Sequence, residues 1–349
     1  MPSITKPLIP AVRRERNALG LTIRDYEGPM STLCAGCGHD STTAALVQAL
    51  WQSNLEPHRV VKLSGIGCSS KTPTYFLRSA HGFNSVHGRM APIATGANAA
   101  NRDLLYLGIS GDGDALSIGL GHLCHAVRRN VRMVYLIENN GVYGLTKGQF
   151  SPTADLGSLS HRGEHNLVPP IDPMLLGLSL GATFLARGFS GDKAHLVPIL
   201  EAALAHRGFA LVDVISPCVQ FNNHAASTKS YAATRAHELH VTDLAVPHAP
   251  VTATIPTEGA VDVPMPGGGS VRFRALPADY DPTDRRSVSA FLHEHAGRGE
   301  VPTGLLFLDE SVPDMHERSG SSRVPLNQLA FDELCPGADA LDALQAAYR

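Results

Sequence analysis

Two short motifs in the middle of the chain carry residue types that suit a magnesium ion and a phosphate group. They are Gly-Asp-Gly-Asp at residues 111–114 and Asn-Asn at residues 139–140. Mg²⁺ prefers octahedral oxygen coordination and usually combines one or two carboxylates with phosphate oxygens. Asp112 can supply a carboxylate, Asn140 an amide oxygen and Val142 a backbone carbonyl. The glycines let the backbone approach a ligand closely, and the free N–H groups of the helix predicted next favour a phosphate.

The spacing of the two motifs is more informative than either motif alone. Gly-Asp-Gly by itself is a common tight turn and would indicate no ligand. Here it is followed by one predicted helix, one predicted strand and then Asn-Asn, and in this form it resembles the signature of thiamine diphosphate enzymes. The sequence therefore favours thiamine diphosphate, held through Mg²⁺, over a simple turn.

Four of the six cysteines lie where they could share one inorganic group. A Cys-x-x-Cys pair occupies residues 34–37, and Cys68 and Cys218 each follow a predicted strand. Four thiolates are what a 4Fe–4S cluster requires. A tetrahedral zinc site and a redox-active Cys-x-x-Cys are the alternatives, and the spacing alone leaves all three open. The remaining thiols, Cys124 and Cys335, are predicted to be structural.

These motifs need a scaffold, and the apolar pattern of the chain predicts one. Short apolar runs predict buried strands, at residues 60–63, 104–109, 133–137, 183–186 and 210–215. Helical patterns alternate with them, near residues 41–52, 89–101, 115–129 and 192–205. This alternation predicts an α/β fold, a mostly parallel sheet with helices on both faces.

The chemistry-bearing residues fall at one edge of this predicted sheet. In open parallel sheets, ligands bind beyond the carboxyl ends of the strands. Such ends are followed by Gly-Cys-Ser at 67–69, Gly-Asp-Gly at 111–113, Asn-Asn at 139–140 and Pro-Cys at 217–218. We therefore expect all four segments to contribute to one site.

The composition predicts a globular protein with three segments. With 43 % hydrophobic and 17 % charged residues, 349 residues can bury a large core. We predict an irregular N-terminal arm at 1–30, a domain for the diphosphate and the cysteine-bound group at 31–235, and a C-terminal extension at 236–349. The extension includes Pro-Met-Pro-Gly-Gly-Gly-Ser at 264–270, a helical stretch near 286–294 and an apolar run at 303–308.

The charge and the apolar pattern also exclude some classes of partner. A formal net charge of −3 argues against a general nucleic-acid binder. No apolar run approaches the roughly 20 residues that span a bilayer. The arginines near residue 14 are followed by no apolar run and do not resemble a secretion signal. We therefore expect a cytoplasmic protein that binds neither nucleic acid nor membrane.

At this point several stretches resemble the beta subunit of 2-oxoacid:ferredoxin oxidoreductases. They are residues 33–39, 64–71, 86–96, 111–153 and 216–222, with weaker likeness at 280–285 and 303–306. The most characteristic run is Tyr-Gly-Leu-Thr-Lys-Gly-Gln at 143–149, whose second half looks like the 2-oxoglutarate type. Residues 138–140 read Glu-Asn-Asn where relatives often have Asp-Asn, which leaves Asn140 in place.

The resemblance implies roles for individual residues. One 4Fe–4S cluster would be held by Cys34, Cys37, Cys68 and Cys218. Mg²⁺ would be held by Asp112, Asn140 and the carbonyl of Val142. Thiamine diphosphate would be lined by Ile66, Gly67, Cys68, Ser69, His87, Gly113, Asp114, Gly144 and Leu145. His87 is also the candidate catalytic residue. Lys147 is a candidate contact for the substrate carboxylate, with a solvated loop lysine as an equal alternative.

The resemblance also implies an activity. It is the coenzyme A-dependent oxidative decarboxylation of a 2-oxoacid, with 2-oxoglutarate favoured, giving succinyl-CoA and CO₂. Electrons would pass through the cluster to ferredoxin, and the reverse reaction is open to the same chemistry. The chain shows no second long βα unit for the domain that activates the aminopyrimidine. The resemblance places that domain on an alpha subunit, so we expect activity only in an alpha–beta pair, doubled to alpha2beta2.

Three alternatives remain at this stage. The same chemistry could act on pyruvate or another 2-oxoacid. The chain could be a non-redox thiamine-dependent decarboxylase or synthase with a structural zinc. It could also be a zinc-stabilised binding or assembly protein.

Overall fold

The computed structural model describes residues 15–160, 162–241, 260–264, 270–274 and 280–348, with the backbone alone for 260–264 and 270–274. Residues 1–14 of the predicted arm lie outside the described residues, as does most of the glycine-rich stretch at 264–270. The described part of the arm packs on the first long helix. Asn17 donates to the carbonyl of Trp51 over 3.0 Å, and the hydroxyl of the buried Tyr26 donates to the carbonyl of Leu55 over 2.8 Å.

The strands within these residues are β1 (Val60–Ser64), β2 (His81–Asn84), β3 (Leu105–Gly111), β4 (Met133–Asn139), β5 (Val142–Tyr143), β6 (Gln149–Phe150), β7 (Phe184–Phe189), β8 (Phe209–Ile215), β9 (Glu238–His240), β10 (Ala260–Pro264), β11 (Ser270–Arg274) and β12 (Val301–Leu308). The helices are α1 (Gly38–Gln52), α2 (Met90–Ala100), α3 (Leu120–Arg129), α4 (Pro173–Leu180), α5 (Lys193–Ala205), α6 (Tyr231–His237), α7 (Arg285–Gly297), α8 (Met315–Ser319), α9 (Phe331–Leu334) and α10 (Ala338–Ala346).

Eight of these strands form one sheet, in the order β2-β1-β3-β4-β8-β7-β12-β9. The strands from β2 through β7 in that order are all parallel. β12 lies antiparallel to β7 and parallel to β9. Two small hairpins, β5–β6 and β10–β11, pair separately. The α/β fold with a mostly parallel sheet is therefore confirmed.

Helices cover both faces of the sheet, and each face has its own core. On one face the core includes Leu46 of α1 and Leu200 of α5. On the other it includes Leu123 of α3, Met174 of α4 and Phe291 of α7. The central strands β4 and β8 are buried along their whole length. A strand buried on both faces needs a continuous apolar run, which is why the sequence revealed these two strands clearly.

The five predicted strands and four predicted helices are all present, one of them shifted, but the pattern did not predict several further described elements, including β2, α4, α6 and β9. The edge strand β2 was missed because its side chains are exposed and show no apolar run. α4 was missed because it is apolar on all sides, although its Asp172 N-cap and left-handed Gly181 mark both ends. The helix predicted at 115–129 begins with a π-helical turn, Asp114–Ile118, and α3 follows it.

The predicted C-terminal extension takes part in the same sheet. α7 and β12 lie where the sequence predicts a helix and an apolar run. β9 and β12 both come after residue 235 and both belong to the eight-stranded sheet. The division at 235/236 therefore does not separate two sheets. Within the described residues, no helix is both long enough and apolar enough to cross a membrane.

A buried arginine joins three elements behind the site edge of the sheet. Arg187 of β7 donates to Asp213 of β8 over 2.9 Å and to both oxygens of Asp172 over 2.9 and 3.0 Å. Asp172 also caps α4 by accepting from the N–H of Met174. Burial by itself raises the pKa of Asp172, but attraction to Arg187 and the hydrogen bonds outweigh it, so the pKa lies below its usual value.

We expect Arg187→Met to lower the free energy of unfolding by about 3–5 kcal/mol, because it leaves the buried Asp213 and the partly exposed Asp172 without their cation. The measurement is urea unfolding at pH 7 followed by circular dichroism. Arg298→Ala is the matched control, since Arg298 pairs with Glu294 on the exposed surface. It should cost no more than about 0.5 kcal/mol. Equal effects of the two variants would contradict this assignment.

Candidate functional site

Three of the four strand-end segments, those at 67–69, 111–113 and 139–140, contribute to a pocket of about 110 Å³ at one edge of the sheet, and Cys218 of the fourth lines a neighbouring cavity. Register explains this, because Gly111 of β3 lies opposite Glu138 of β4, and Asn139 of β4 opposite Ile215 of β8. All twelve residues that the sequence assigns to thiamine diphosphate and Mg²⁺ line the pocket. They are Ile66, Gly67, Cys68, Ser69, His87, Asp112, Gly113, Asp114, Asn140, Val142, Gly144 and Leu145.

Asp112 is buried at the base of the pocket and held by two hydroxyls. Ser151 donates to one of its carboxylate oxygens, and Thr153 donates to the same oxygen over 2.5 Å. Thr153 also bonds the side chain of Asn139 over 2.8 Å. Burial raises the pKa of Asp112, and the hydrogen bonds from Ser151 and Thr153 only partly offset it. A bound cation would reverse that shift, so this fixed, buried carboxylate fits a Mg²⁺ ligand.

The turn after β4 holds the second set of oxygen donors. The side-chain oxygen of Asn140 accepts from the N–H of Val142 over 3.0 Å, and its carbonyl accepts from Asn222 over 2.7 Å. Gly141 between them has φ +72°, and a Cβ there would lie 2.7 Å from Asn222. The turn therefore requires glycine, and it presents Asn140 and Val142 to the same pocket as Asp112.

Asp114 joins three loops around the pocket. One of its carboxylate oxygens accepts from the N–H groups of Gly88 and Ile66, over 2.7 and 3.2 Å. The other accepts from Ser110 over 2.6 Å. Nδ1 of His87 lies against the same carboxylate, and a third of the His87 side chain stays exposed. Asp114 therefore positions the loops and holds His87 at the pocket wall.

The four predicted cluster cysteines line a second cavity of about 170 Å³. The two cavities share a wall, because five residues line both: His39, Cys68, Asn140, Gly144 and Leu145. Cys124 and Cys335 line neither.

The spacing of the cysteines fits a large inorganic group better than a single metal ion. A tetrahedral zinc site with Zn–S bonds of about 2.3 Å places its sulfurs about 3.8 Å apart. Among the described residues, only one set of three or more ligand atoms from His, Cys, Asp or Glu lies within 4.8 Å of one another. That set contains none of the four cysteines. No three of these four thiols are therefore that close, which disfavours the zinc alternatives.

Gly144 leaves room between two of the sulfurs. A Cβ at this position would lie 3.5 Å from the sulfur of Cys68 and 3.6 Å from that of Cys218. Any longer side chain would occupy the space between them. Burial raises the pKa of Cys37 to about 12 and also raises that of Cys68, with neighbouring thiols adding to both effects. Bound iron would stabilise the thiolates instead, so the cavity fits a 4Fe–4S cluster.

Beneath both cavities lies a polar network to which the sequence reasoning gave no role. Nδ1 of His39 lies 2.6 Å from the hydroxyl of Ser216 and 3.6 Å from Glu138. Thr72 bonds both oxygens of Glu138 over 3.0 and 3.1 Å. Burial lowers the pKa of His39 to about 4 and raises that of Glu138 well above its usual value. The available signal was position, because Glu138 directly precedes the Asn-Asn motif and His39 lies two residues after the Cys-x-x-Cys pair.

Lys147, the candidate substrate contact, lines neither cavity. It lies in a tight turn, where its N–H donates to Gly144 over 3.1 Å and that of Gly148 donates to Tyr143 over 3.0 Å. Its φ of +78° is in the left-handed region, which costs a non-glycine residue about 1 kcal/mol. Its role with substrate stays a prediction.

Comparison with known proteins agrees with this geometry. Residues 65–214 match the family described as "Thiamine pyrophosphate enzyme, C-terminal TPP binding domain". The 2-oxoacid:ferredoxin oxidoreductase subunit beta of Saccharolobus solfataricus is 42 % identical over 207 residues, covering 59 % of this chain and 67 % of that protein. The 2-oxoglutarate oxidoreductase subunit KorB of Mycobacterium tuberculosis is 44 % identical over 191 residues, covering 54 % and 51 %.

A solved structure extends the likeness over most of the chain. It is the 2-oxoglutarate:ferredoxin oxidoreductase from Magnetococcus marinus with 2-oxoglutarate, coenzyme A and succinyl-CoA bound. The match has a TM-score of 0.71 and 28 % identity, and covers 90 % of this chain and 96 % of that one.

The fold, and the pocket at the carboxyl ends of its parallel strands, define a subunit of a thiamine diphosphate-dependent enzyme. The sequence identity to the relatives, and the fraction of each relative that is matched, narrow the assignment to one family of such enzymes. The chain belongs to the family of 2-oxoacid:ferredoxin oxidoreductase beta subunits, which are oxidoreductase subunits.

We expect Asp112→Ala to lower thiamine diphosphate retention at least about tenfold, because the variant loses a carboxylate ligand for the bridging cation. Retention is measured after gel filtration in Mg²⁺, by thiochrome fluorescence of the released cofactor. Asp103→Ala is the control, since Asp103 is exposed at the opposite edge of the sheet. Unchanged retention in Asp112→Ala, with a native circular dichroism spectrum, would contradict the metal assignment.

Proposed function

We propose that this chain is the beta subunit of a 2-oxoglutarate:ferredoxin oxidoreductase. The complex would convert 2-oxoglutarate and coenzyme A to succinyl-CoA and CO₂ and pass the electrons through a 4Fe–4S cluster to ferredoxin. The observation that carries the proposal is the shared wall between a pocket with diphosphate and Mg²⁺ ligands and a cavity with four cysteines. The reverse reaction would use the same site with a low-potential donor.

When bound, thiamine diphosphate supplies the nucleophilic carbon and electron sink for decarboxylation, and a 4Fe–4S cluster supplies one-electron acceptance. Asp112, Asn140 and the carbonyl of Val142 would hold Mg²⁺, and so fix the diphosphate. His87, oriented by Asp114, would hold or move a proton at its far nitrogen. Because His87 lines the pocket, that proton would be available to a group bound there.

The shared wall is also suited to electron transfer. Cys68 lines both cavities, and Gly144 places no side chain between them. Groups bound in the two cavities would therefore be separated by little more than one side chain. Such a short separation supports a role for the cluster as the acceptor of electrons from the decarboxylation site.

An exposed apolar border on the pocket supports an alpha subunit as partner. Val86 is 74 % exposed, Leu145 52 % and Ile118 48 %. Val86 precedes His87, Leu145 lines the pocket, and Ile118 packs on Gly88. Exposed apolar side chains beside a cofactor pocket mark an interaction surface. We propose that an alpha subunit with the pyrimidine-binding domain covers this border, in an alpha2beta2 complex.

The choice of 2-oxoglutarate rests on names among the relatives. Several are named for 2-oxoglutarate and others for 2-oxoacids in general. Lys147 is the residue of this chain proposed to contact the substrate carboxylate. Pyruvate and other 2-oxoacids remain the alternative substrates, and substrate profiling of the assembled complex decides among them.

Protein purified without oxygen should contain about four iron and four sulfide ions per chain. Cys218→Ala should lose most of both, because the cavity then offers only three thiolates. Cys335→Ala is the matched control and should keep both, since Cys335 is exposed and lies outside the cavity. Zinc in place of iron, with no sulfide, would refute the redox function.

The isolated chain should show no 2-oxoacid-dependent dye reduction, and addition of the alpha subunit should restore it. The physical reason is that the described residues form the diphosphate half of a thiamine site, bordered by exposed apolar groups. Val86→Glu should weaken association with the alpha subunit at least about tenfold in a sedimentation titration, because it buries a charge. Leu326→Glu, at an exposed position far along the chain, is the control. Robust turnover by the chain alone would overturn the two-subunit proposal.

A further inference from the structure

Three side chains at the far end of the sheet converge on one point. His195 lies in the first turn of α5, and Glu238 and His240 lie on the edge strand β9. Residues two apart on a strand share a face, so Glu238 and His240 point the same way. Each of the three offers one ligand atom, and these atoms all lie within 4.8 Å of one another. None of the three lines the diphosphate pocket or the cysteine cavity.

The separations are close to those of a transition-metal site. An oxygen of Glu238 lies 3.3 Å from Nε2 of His240 and 4.0 Å from Nδ1 of His195. Metal–ligand bonds of about 2.0–2.2 Å in a tetrahedron place ligand atoms about 3.3–3.6 Å apart. Binding of one ion by all three groups requires Glu238 to move a few tenths of an ångström toward His195 and one of the two stacked imidazole rings to rotate, because a metal bonds in the plane of each ring.

Neighbouring groups orient the ligands, and Asp192 offers a further carboxylate nearby. A carboxylate oxygen of Asp192 lies 3.6 Å from Nε2 of His240. Asp192 also accepts from the backbone N–H of His195 over 3.1 Å, which fixes it at the start of α5. Thr303 of β12 donates to Glu238 over 3.0 Å. Such outer hydrogen bonds are typical of carboxylates that bind metals.

Charge and burial favour a divalent cation at this point. The side chains of His195 and Glu238 are only 4 % and 8 % exposed, and that of His240 is 25 % exposed. The two imidazole rings are stacked, with centroids 3.9 Å apart and planes 8° from parallel. Two protonated imidazoles at that distance would repel each other. One divalent cation with two neutral imidazoles and two carboxylates would instead give a neutral site, since +2 and −2 cancel.

We propose that His195, Glu238 and His240, completed by Asp192, bind one divalent transition-metal ion, with Zn²⁺ as the best match to the donor set. The ion has a structural role, because it connects α5 to β9. β9 has three residues and pairs with β12 along one edge. Coordination of the same ion by α5 and β9 would therefore fix the register of β9. This inference does not depend on the proposed oxidoreductase function.

The bound ion would also restrain the loop that carries Cys34 and Cys37. β9 follows directly after α6, which begins at Tyr231. The hydroxyl of Tyr231 donates to the carbonyl of Gly36, between Cys34 and Cys37, over 3.1 Å. Fixing the end of α6 through β9 therefore restrains a residue that holds the loop of the first two cysteines.

The test uses the whole chain, purified without oxygen, dialysed against a chelator, equilibrated with Zn²⁺ and passed through gel filtration. We expect about one zinc per chain, and a higher thermal midpoint with Zn²⁺ than without it. Zinc K-edge absorption should show nitrogen and oxygen at about 2.0–2.1 Å and no sulfur at about 2.3 Å. A sulfur shell would place the zinc at the cysteines and overturn the proposal.

His240→Gln and Glu238→Gln should each lower zinc affinity at least about tenfold and abolish the zinc-dependent rise in thermal midpoint. His237→Gln is the matched control, because His237 is an exposed histidine three residues earlier on α6. It should bind zinc like the wild type. Wild-type zinc content in both His240→Gln and Glu238→Gln, or no zinc in the wild type, would overturn the proposal.

Discussion

The site depends on the register of the parallel strands at the centre of the sheet. β3, β4 and β8 are hydrogen-bonded so that Gly111, Asn139 and Ile215 end at nearly the same level. Because parallel strands share one direction, their carboxyl ends open onto one edge, where backbone polar groups are no longer needed for sheet pairing. Asp112, which follows β3, therefore meets Asn140, which follows β4. A slip of one residue would turn every side chain of a strand to the other face and separate these ligands.

The edge stays ordered because its buried polar groups are matched by hydrogen bonds. Asp112 is held by Ser151 and Thr153, and Glu138 by Thr72. Farther back, Arg187 pairs with Asp213, whose other oxygen accepts from Asn139 over 3.0 Å. An unpaired buried polar group costs about 1–3 kcal/mol, and a charge costs more. Each of these buried carboxylates is thus tied to a segment distant in the sequence, which fixes the turns at the strand ends.

The far end of the sheet is arranged differently from its parallel centre. β12 reverses the strand direction beside β7, and β9 adds a short outer edge. An exposed edge strand is weakly restrained and open to pairing with other chains. In this fold His195 of α5 lies against β9, and α6 connects that edge back to the cysteine loop through Tyr231. The edge strand β9 is therefore connected through α6 to the cysteine loop, although its residues line neither cavity.

The sequence by itself determined the strand–helix alternation, the residue types at each strand end and the spacing between Asp112 and Asn140. These are local properties, since apolar periodicity reports burial within one element and turn chemistry reports a few neighbouring residues. Tertiary structure decided what depends on contacts between distant segments. It placed Cys68 and Gly144 in a common wall, left no three of the four thiols within 4.8 Å of one another, and brought His39 close to Glu138. It also brought His195 to His240, because only strand order and register determine which elements become neighbours.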